Sequence, residues 1–101
     1  MKFDNKVEKT INGGLPIQAP IILVTLHNGD NIYEGSAFLS DVKEILVHGE
    51  PFIEGYHLIK GNEGHYLDGK RTLIPLRSIN SITEFKSIKD VPDYEPYEPY
   101  A

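Results

Sequence analysis

Four histidines are the residues of this sequence with the clearest capacity for metal binding: His27, His48, His57 and His65. A structural zinc site needs four convergent ligands, the chain has no cysteine, and the last two histidines lack the spacing of a ligand pair on a helix or turn. His48 and His57 could pair across neighbouring strands, but solvent-facing strand positions explain them equally well. The sequence therefore predicts no metal and no other cofactor.

Catalytic constellations are also missing from the pattern. No serine occupies a nucleophile elbow, no glycine-rich loop precedes a predicted helix, and no pair of carboxylates has the arrangement of a general acid and its partner. An enzyme is therefore the least supported class, and we expect a protein that binds rather than catalyses.

A second group of residues has the chemistry of a nucleic-acid or phosphate contact. An apolar stretch ends in Lys60-Gly61-Asn62, and Lys70-Arg71 follow ten residues later. A lysine reaches phosphate, and an asparagine amide both donates and accepts hydrogen bonds. Taken alone, Lys60-Gly61-Asn62 is a common strand ending, and Lys70-Arg71 is most simply a solvated loop tip.

The spacing of these residues with others upstream resembles a known family signature. Residues 26–29 read Leu-His-Asn-Gly, Gly35 and Asp41 are six apart, and residues 55–62 read Gly-Tyr-His-Leu-Ile-Lys-Gly-Asn. This arrangement is similar to the two halves of the Sm/LSm motif, in a family of small ring-forming β-barrels that bind RNA and include the Hfq-like proteins. Lys60 stands where that family has arginine. The divergence within the motifs resembles the Sm-like proteins of phages and environmental sequence sets.

The resemblance implies a homo-oligomeric ring of five to seven subunits that binds single-stranded RNA, or less readily DNA, in RNA processing or regulation. The implied contacts are Lys43, Lys60, Gly61, Asn62, Lys70 and Arg71. The family's base-stacking position falls on Lys43 and its uracil-reading asparagine on Ile45, so both chemistries are replaced. Binding should therefore be salt-dependent and only modestly sequence-selective. The alternative is a scaffolding or protein-interaction ring that binds no nucleic acid.

Length and composition are those of one small globular domain of 101 residues, with a net charge of −5. Four of the fifteen acidic residues and none of the ten basic ones lie in residues 90–101, so the rest of the chain is nearly neutral. The longest apolar run, residues 20–24, is too short to span a membrane, and the N-terminus lacks the pattern of a signal peptide. Together with the absence of cysteine, these features predict a cytoplasmic protein.

The secondary-structure pattern predicts an all-β fold, a small and strongly bent five-stranded Sm-like barrel. The predicted strands are residues 21–26, 32–39, 44–48, 52–60 and 72–79, with a turn at Asn28-Gly29 and loops at residues 40–43 and 61–71. Whether residues 64–68 or 72–76 form the fifth strand stays open, although the second stretch has the stronger β-propensity. The fourth and fifth strands, at residues 52–60 and 71–79, are the expected edges that pair between subunits.

The ends of the chain are predicted to lie outside this barrel. Phe3, Val7 and Ile11 are spaced by four, which predicts a short helix in an N-terminal extension of residues 1–19. The barrel domain would cover residues 20–89. Residues 90–101 contain a Tyr-Glu-Pro unit twice and would form a flexible acidic tail. We also consider that this tail competes with nucleic acid for a basic face.

Overall fold

A computed structural model describes residues 2–26, 36–62 and 64–92 of the chain. The predicted Asn28-Gly29 turn, Gly35 and residues 93–101 lie outside the described residues. The described residues form seven strands and two short 3-10 helices. The strands are β1 Lys6–Lys9, β2 Ile17–Ala19, β3 Ile21–Leu26, β4 Ser36–Val47, β5 Glu50–Gly61, β6 Gly64–Pro75 and β7 Ile79–Phe85, and the 3-10 helices are Leu76–Ser78 and Ile88–Asp90.

Five strands form one antiparallel sheet in the order β6-β5-β4-β3-β7, and β1 pairs with β2 in a small second ladder. The predicted all-β fold is confirmed. A closed barrel is not found within the described residues, because β6 and β7 lie at opposite edges of the sheet without pairing to each other. The fold therefore leaves two strand edges with backbone groups available for hydrogen bonding.

The core consists of two apolar clusters on the two faces of the sheet. Successive side chains of a strand point to opposite faces, so Ile21 packs in one cluster with Ile17, Phe38 and Leu67, while Ile22 packs in the other. The members of the second cluster are Ile22, Val24, Leu39, Val42, Ile53 and Ile74. The continuous apolar run at the start of β3 thus reflects a strand that is buried on both sides.

The predicted loop at residues 40–43 is wrong, because β4 runs through it as one strand that includes the predicted third strand. Ser40 pairs with Tyr56 and Lys43 with Glu54, so β4 has one residue more than β5 in this interval. Asp41 lies in this bulge with φ 54°, a left-handed conformation that aspartate tolerates better than most residues. Turn-forming residues here make a bulge instead of ending the strand.

The assignment of residues 61–79 is also corrected. Residues 64–68, which the sequence left open between loop and fifth strand, belong together with residues 72–75 to one strand, β6, which pairs with β5 from Gly61↔Gly64 to Phe52↔Pro75. The predicted fifth strand is split into the end of β6, the first 3-10 helix and the start of β7. A bulge at residues 68–70, where Lys70 N–H donates to Asp68 Oδ1 at 3.2 Å, accommodates the polar residues that suggested a loop.

Two further expectations change as a result. The predicted edge at residues 52–60 is interior, because β5 lies between β4 and β6. The predicted N-terminal helix is wrong, because residues 6–9 form β1 and pair with β2. Phe3 and Ile11 pack against different core clusters and Val7 is 58% exposed, so their spacing does not build one apolar helix face.

The small ladder is attached to the main sheet by a buried serine. Ser40 is fully buried and donates to the Gln18 carbonyl at 2.7 Å, while the Gln18 N–H donates to Ser40 Oγ at 2.8 Å. Because the backbone N–H and the carbonyl of Gln18 are both satisfied by one hydroxyl, β2 is held against β4 without a backbone ladder.

Within the described ranges the chain contains no helix that could reach across a lipid bilayer.

Candidate functional site

The structure separates the predicted contact residues into two groups. Lys43 and Arg71 meet around Glu54 in the middle of the sheet, whereas Lys60-Gly61-Asn62 lie at the tip of the β5–β6 hairpin. Glu54 and Lys60 are six positions apart in β5, which corresponds to roughly 20 Å of extended strand. One bound phosphate therefore cannot contact both groups.

In the first group, Arg71 is held by acidic and aromatic neighbours. Its Nε contacts Glu54 Oε1, its Nη1 lies 3.2 Å from Asp41 Oδ2, and its Nη2 donates to the Asp41 carbonyl at 3.1 Å. The guanidinium carbon lies 4.4 Å from the ring centroid of Tyr56. Lys43 Nζ is 3.7 Å from the same Glu54 oxygen, which therefore bridges the two cations.

The electrostatics of Arg71 follow from these contacts. Burial lowers its pKa, but interactions with Tyr56 and Asp41 and the charges of Glu54 and Asp41 outweigh burial and raise the pKa above its ordinary value. The arginine is thus permanently charged and already surrounded by partners. The contacts of Arg71 join β4, β5 and β6 and leave little of its guanidinium accessible to an external phosphate. Lys70, in the neighbouring bulge of β6, is exposed.

The second group gains basic residues that the sequence analysis did not assign. Lys9, at the end of β1, reaches the hairpin tip, where a Cβ at Gly64 would meet Lys9 Nζ at 3.1 Å. Gly64 has φ 115°, which favours glycine. Burial lowers the pKa of His65, and the nearby charges of Lys60 and then Lys9 lower it further. The contributions of the two lysines to this pKa shift show that both positive charges act on the imidazole.

Three clefts meet at His65. One is lined by Lys60, a second by Lys9 and Lys89, and a third by Lys9, Gly61 and Asn62. We call Lys9, Lys60, His65 and Lys89 the hairpin-tip cluster. These four residues come from β1, β5, β6 and the second 3-10 helix.

Glu8 holds the last of these elements against the first. Its carboxylate accepts from the Ile88 N–H at 3.0 Å and from the Ser87 hydroxyl. These contacts hold the second 3-10 helix, which contains Lys89, beside β1. Glu8 precedes Lys9 directly in the sequence, and its carboxylate is engaged by these donors. The hairpin-tip cluster therefore lies beside the Glu8 carboxylate, which accepts hydrogen bonds from a backbone N–H and a hydroxyl.

Lys60, Gly61 and Asn62 were predicted from the sequence as nucleic-acid contacts, whereas Lys9, His65 and Lys89 were not. Their proximity arises from pairing between distant parts of the chain, which no local pattern reports. No group of three or more histidine, cysteine, aspartate or glutamate side chains is placed to hold a metal ion in the part of the chain that the structure describes.

Comparison with protein-family models, with curated proteins and with solved structures finds no match for this chain.

Proposed function

We propose that this protein binds single-stranded nucleic acid, RNA more readily than DNA, through the hairpin-tip cluster. The observation that carries the proposal is that Lys9, Lys60 and Lys89 line clefts that share His65, beside the Lys60-Gly61-Asn62 turn. Backbone phosphates supply the complementary charge, and the Asn62 amide offers both a donor and acceptors to bases or sugars.

Local charge explains how an acidic protein binds a polyanion. The chain has a net charge of −5, but phosphate responds most strongly to charges within about 8–10 Å at moderate ionic strength. Within that distance the cluster is basic, and Lys60 and Lys9 both act on the His65 pKa. Binding is therefore local, salt-sensitive and dominated by phosphate contacts.

We further propose that the protein is an Sm-like barrel that assembles into a homo-oligomeric ring of five to seven subunits. Five antiparallel strands in one sheet and bulges in β4 and β6 support the barrel, since bulges increase strand bending. The outer edges of β6 and β7, which pair with no other strand among the described residues, support assembly, because edge-to-edge pairing between subunits would satisfy them. A ring repeats each hairpin-tip cluster and multiplies weak contacts.

The test is a fluorescence-polarisation titration of labelled oligo-uridine RNA and the matching DNA at low and moderate salt. Lys9→Ala and Lys60→Ala should each weaken RNA binding at least about tenfold if the ring repeats the loss. Lys86→Ala is the matched control, because it removes one exposed positive charge outside the cluster. Lys43→Ala and Lys70→Ala test the other contacts implied by the family resemblance.

Absence of RNA binding at low salt would contradict the proposal. Equal weakening by Lys86→Ala and Lys60→Ala would instead indicate nonspecific attraction, without a site at the hairpin tip. Size-exclusion chromatography with light scattering tests the ring independently, and a monomer at all concentrations would contradict it.

One observation favours the alternative, a protein-interaction ring without nucleic acid. On one face of the sheet, Ile45 of β4 pairs with Phe52 of β5, and Phe52 pairs with Pro75 of β6. Leu73 lies two positions before Pro75 on the same face and is 50% exposed. An apolar sheet surface of this kind can receive a protein partner. Leu73→Lys should leave RNA binding intact if the hairpin tip is the functional surface.

A further inference from the structure

An apolar cleft lies directly beside the hairpin-tip cluster. Phe38, Ala37, Leu58 and Ile59 line it together with Val91 and Pro92, and it has a volume of about 230 Å³. Phe38 is 8% exposed and is positioned by Phe85, whose ring centroid is 6.1 Å away. The cleft is therefore bounded by side chains that the core holds in place.

We propose that this cleft holds the base of a single nucleotide whose phosphate lies on the hairpin-tip cluster. The inference rests on the proposed function and deepens it by assigning a base pocket whose apolar lining lies outside the residues that the family resemblance implied. Ligand recognition then has an apolar part and an anionic part in adjacent positions.

The size of the cleft fits a small ring. Pockets for drug-sized molecules measure roughly 300–1,000 Å³, whereas this cleft measures about 230 Å³. A planar base with its sugar and phosphate outside the cleft matches that volume better than a whole drug-sized ligand. The flat face of a base would bury apolar surface against Leu58 and Val91, which pack in the same cluster as Phe38.

The polar lining suits a base more than a purely aliphatic ligand. His57 and His65 both line the cleft, together with the hydroxyl-bearing Ser36. Imidazole rings stack on bases and also hydrogen-bond to their edges. An aliphatic chain would offer the imidazole of His65 no hydrogen-bond partner and would lose free energy as that ring desolvates.

The charged side of the site selects for phosphate. Lys60 and His65 belong both to the cleft and to the hairpin-tip cluster, and Lys9 and Lys89 lie on the other side of His65. A phosphate bound at His65 would therefore be attracted by lysines of three elements, namely β1, β5 and the second 3-10 helix. An uncharged nucleoside would gain the apolar contacts without this electrostatic attraction.

The experiment uses the full-length protein and three probes: uridine monophosphate, uridine and inorganic phosphate. Binding is followed by amide chemical-shift changes in a ¹⁵N-labelled sample. Uridine monophosphate should bind at least about tenfold more tightly than either fragment, with the largest changes at Ala37, Leu58 and His65. Changes confined to the surroundings of Lys43 and Arg71 would overturn the proposal.

A cleft-filling variant separates the two parts of the ligand. Val91→Phe should weaken uridine monophosphate binding at least about tenfold while leaving inorganic phosphate binding unchanged, because Val91 lines the cleft on the side of Phe38. Its thermal unfolding midpoint should confirm folding. Should Val91→Phe fail to fold, Leu58→Ala provides the second variant, with the same expected pattern. Unchanged uridine monophosphate affinity in the folded variant would refute a base in this cleft.

Failure of this inference differs from failure of the proposed function. RNA binding that depends on Lys60, with no mononucleotide changes at the cleft, would retain the hairpin-tip site and reject the base pocket. Loss of both RNA and mononucleotide binding would reject the proposed function and the pocket together.

Discussion

Arg71 and Tyr56 face each other across the β5–β6 ladder, with the guanidinium carbon 4.4 Å from the tyrosine ring centroid. The same guanidinium extends to the bulge of β4, where it contacts the Asp41 carboxylate and carbonyl. One side chain thus ties together three strands, and the residue predicted as an outer phosphate contact has a structural position.

Arg71→Ala should lower the free energy of unfolding by about 2 kcal/mol. The variant removes a cation–π contact and leaves the half-buried Glu54 carboxylate without its closest cation. Urea unfolding measures the change. Arg77→Ala is the control, since that side chain is 76% exposed, and its 3.0 Å ion pair with Glu50 should contribute less than about 0.5 kcal/mol. Equal effects of the two variants would contradict the structural assignment.

Gly55→Ala should destabilise the protein by about 1–3 kcal/mol, because overpacking forces neighbouring atoms to move. A Cβ there would lie 3.2 Å from the Ser40 carbonyl oxygen and 3.2 Å from Leu39 Cβ, opposite the β4 bulge. Gly69→Ala is the matched control in the β6 bulge, where nothing lies within 4 Å, and its effect should stay within about 0.5 kcal/mol. Comparable thermal midpoints for both variants would show that β5 does not approach the bulge this closely.

Folding stability should fall as the pH drops below 6.5, in part because of His65. The pKa of this histidine is lowered from 6.5 by burial, Lys60 and Lys9, with Lys89 and Glu8 lining the adjoining cleft. Below that pH the unfolded chain binds a proton that the folded chain takes up less readily, so the stabilisation present at higher pH is lost. Urea midpoints measured from pH 5 to pH 8 report the effect.

The His65→Gln variant should show a flatter dependence of urea midpoint on pH than the unmodified protein. His48→Asn is the control, because His48 is an exposed residue of the β4–β5 turn with φ 52°, a conformation that asparagine tolerates. If the pH dependence were lost in the control and kept in His65→Gln, the assignment to His65 would be incorrect.

A chain ending at Pro92 should bind RNA more tightly than the full chain at low salt. The truncation removes Asp93, Glu95 and Glu98, which follow directly after the residues lining the cleft beside Lys60. Their charges oppose an incoming phosphate, and the difference should shrink as salt rises. A full-length variant with these acids changed to amides should match the truncation. Identical affinities of all three chains at low salt would dismiss electrostatic competition by the tail.

The sequence predicted the strands whose local pattern is strong and missed features that depend on pairing. The apolar run of β3 and the long stretch that became β5 were assigned correctly. Asp41 was assigned to a loop because a bulge and a turn use the same residue types. The polar first half of β6 has weak β-propensity, and its pairing with β5 overrides that weakness.

The candidate site was accessible to sequence reasoning only in part. Lys60-Gly61-Asn62 could be selected because a basic residue, a glycine and an amide end one apolar stretch. Lys9 and Lys89 carry no such local signal, and they reach His65 only through the packing of β1 and the second 3-10 helix. A site assembled from four separate elements is a property of topology and cannot be recognised in any one segment.

The bulge at Asp41 also determines where the length of this chain can vary. Leu39 and Val42 both pack in the same apolar cluster although they are three positions apart in the strand, and the extra residue between them makes this possible. Deleting Asp41 would leave a regular strand in which the remaining side chains keep their faces. Deleting a residue between positions 42 and 47 would require part of β4 to turn over. Natural variants of β4 that are one residue shorter should therefore lack the residue at the bulge.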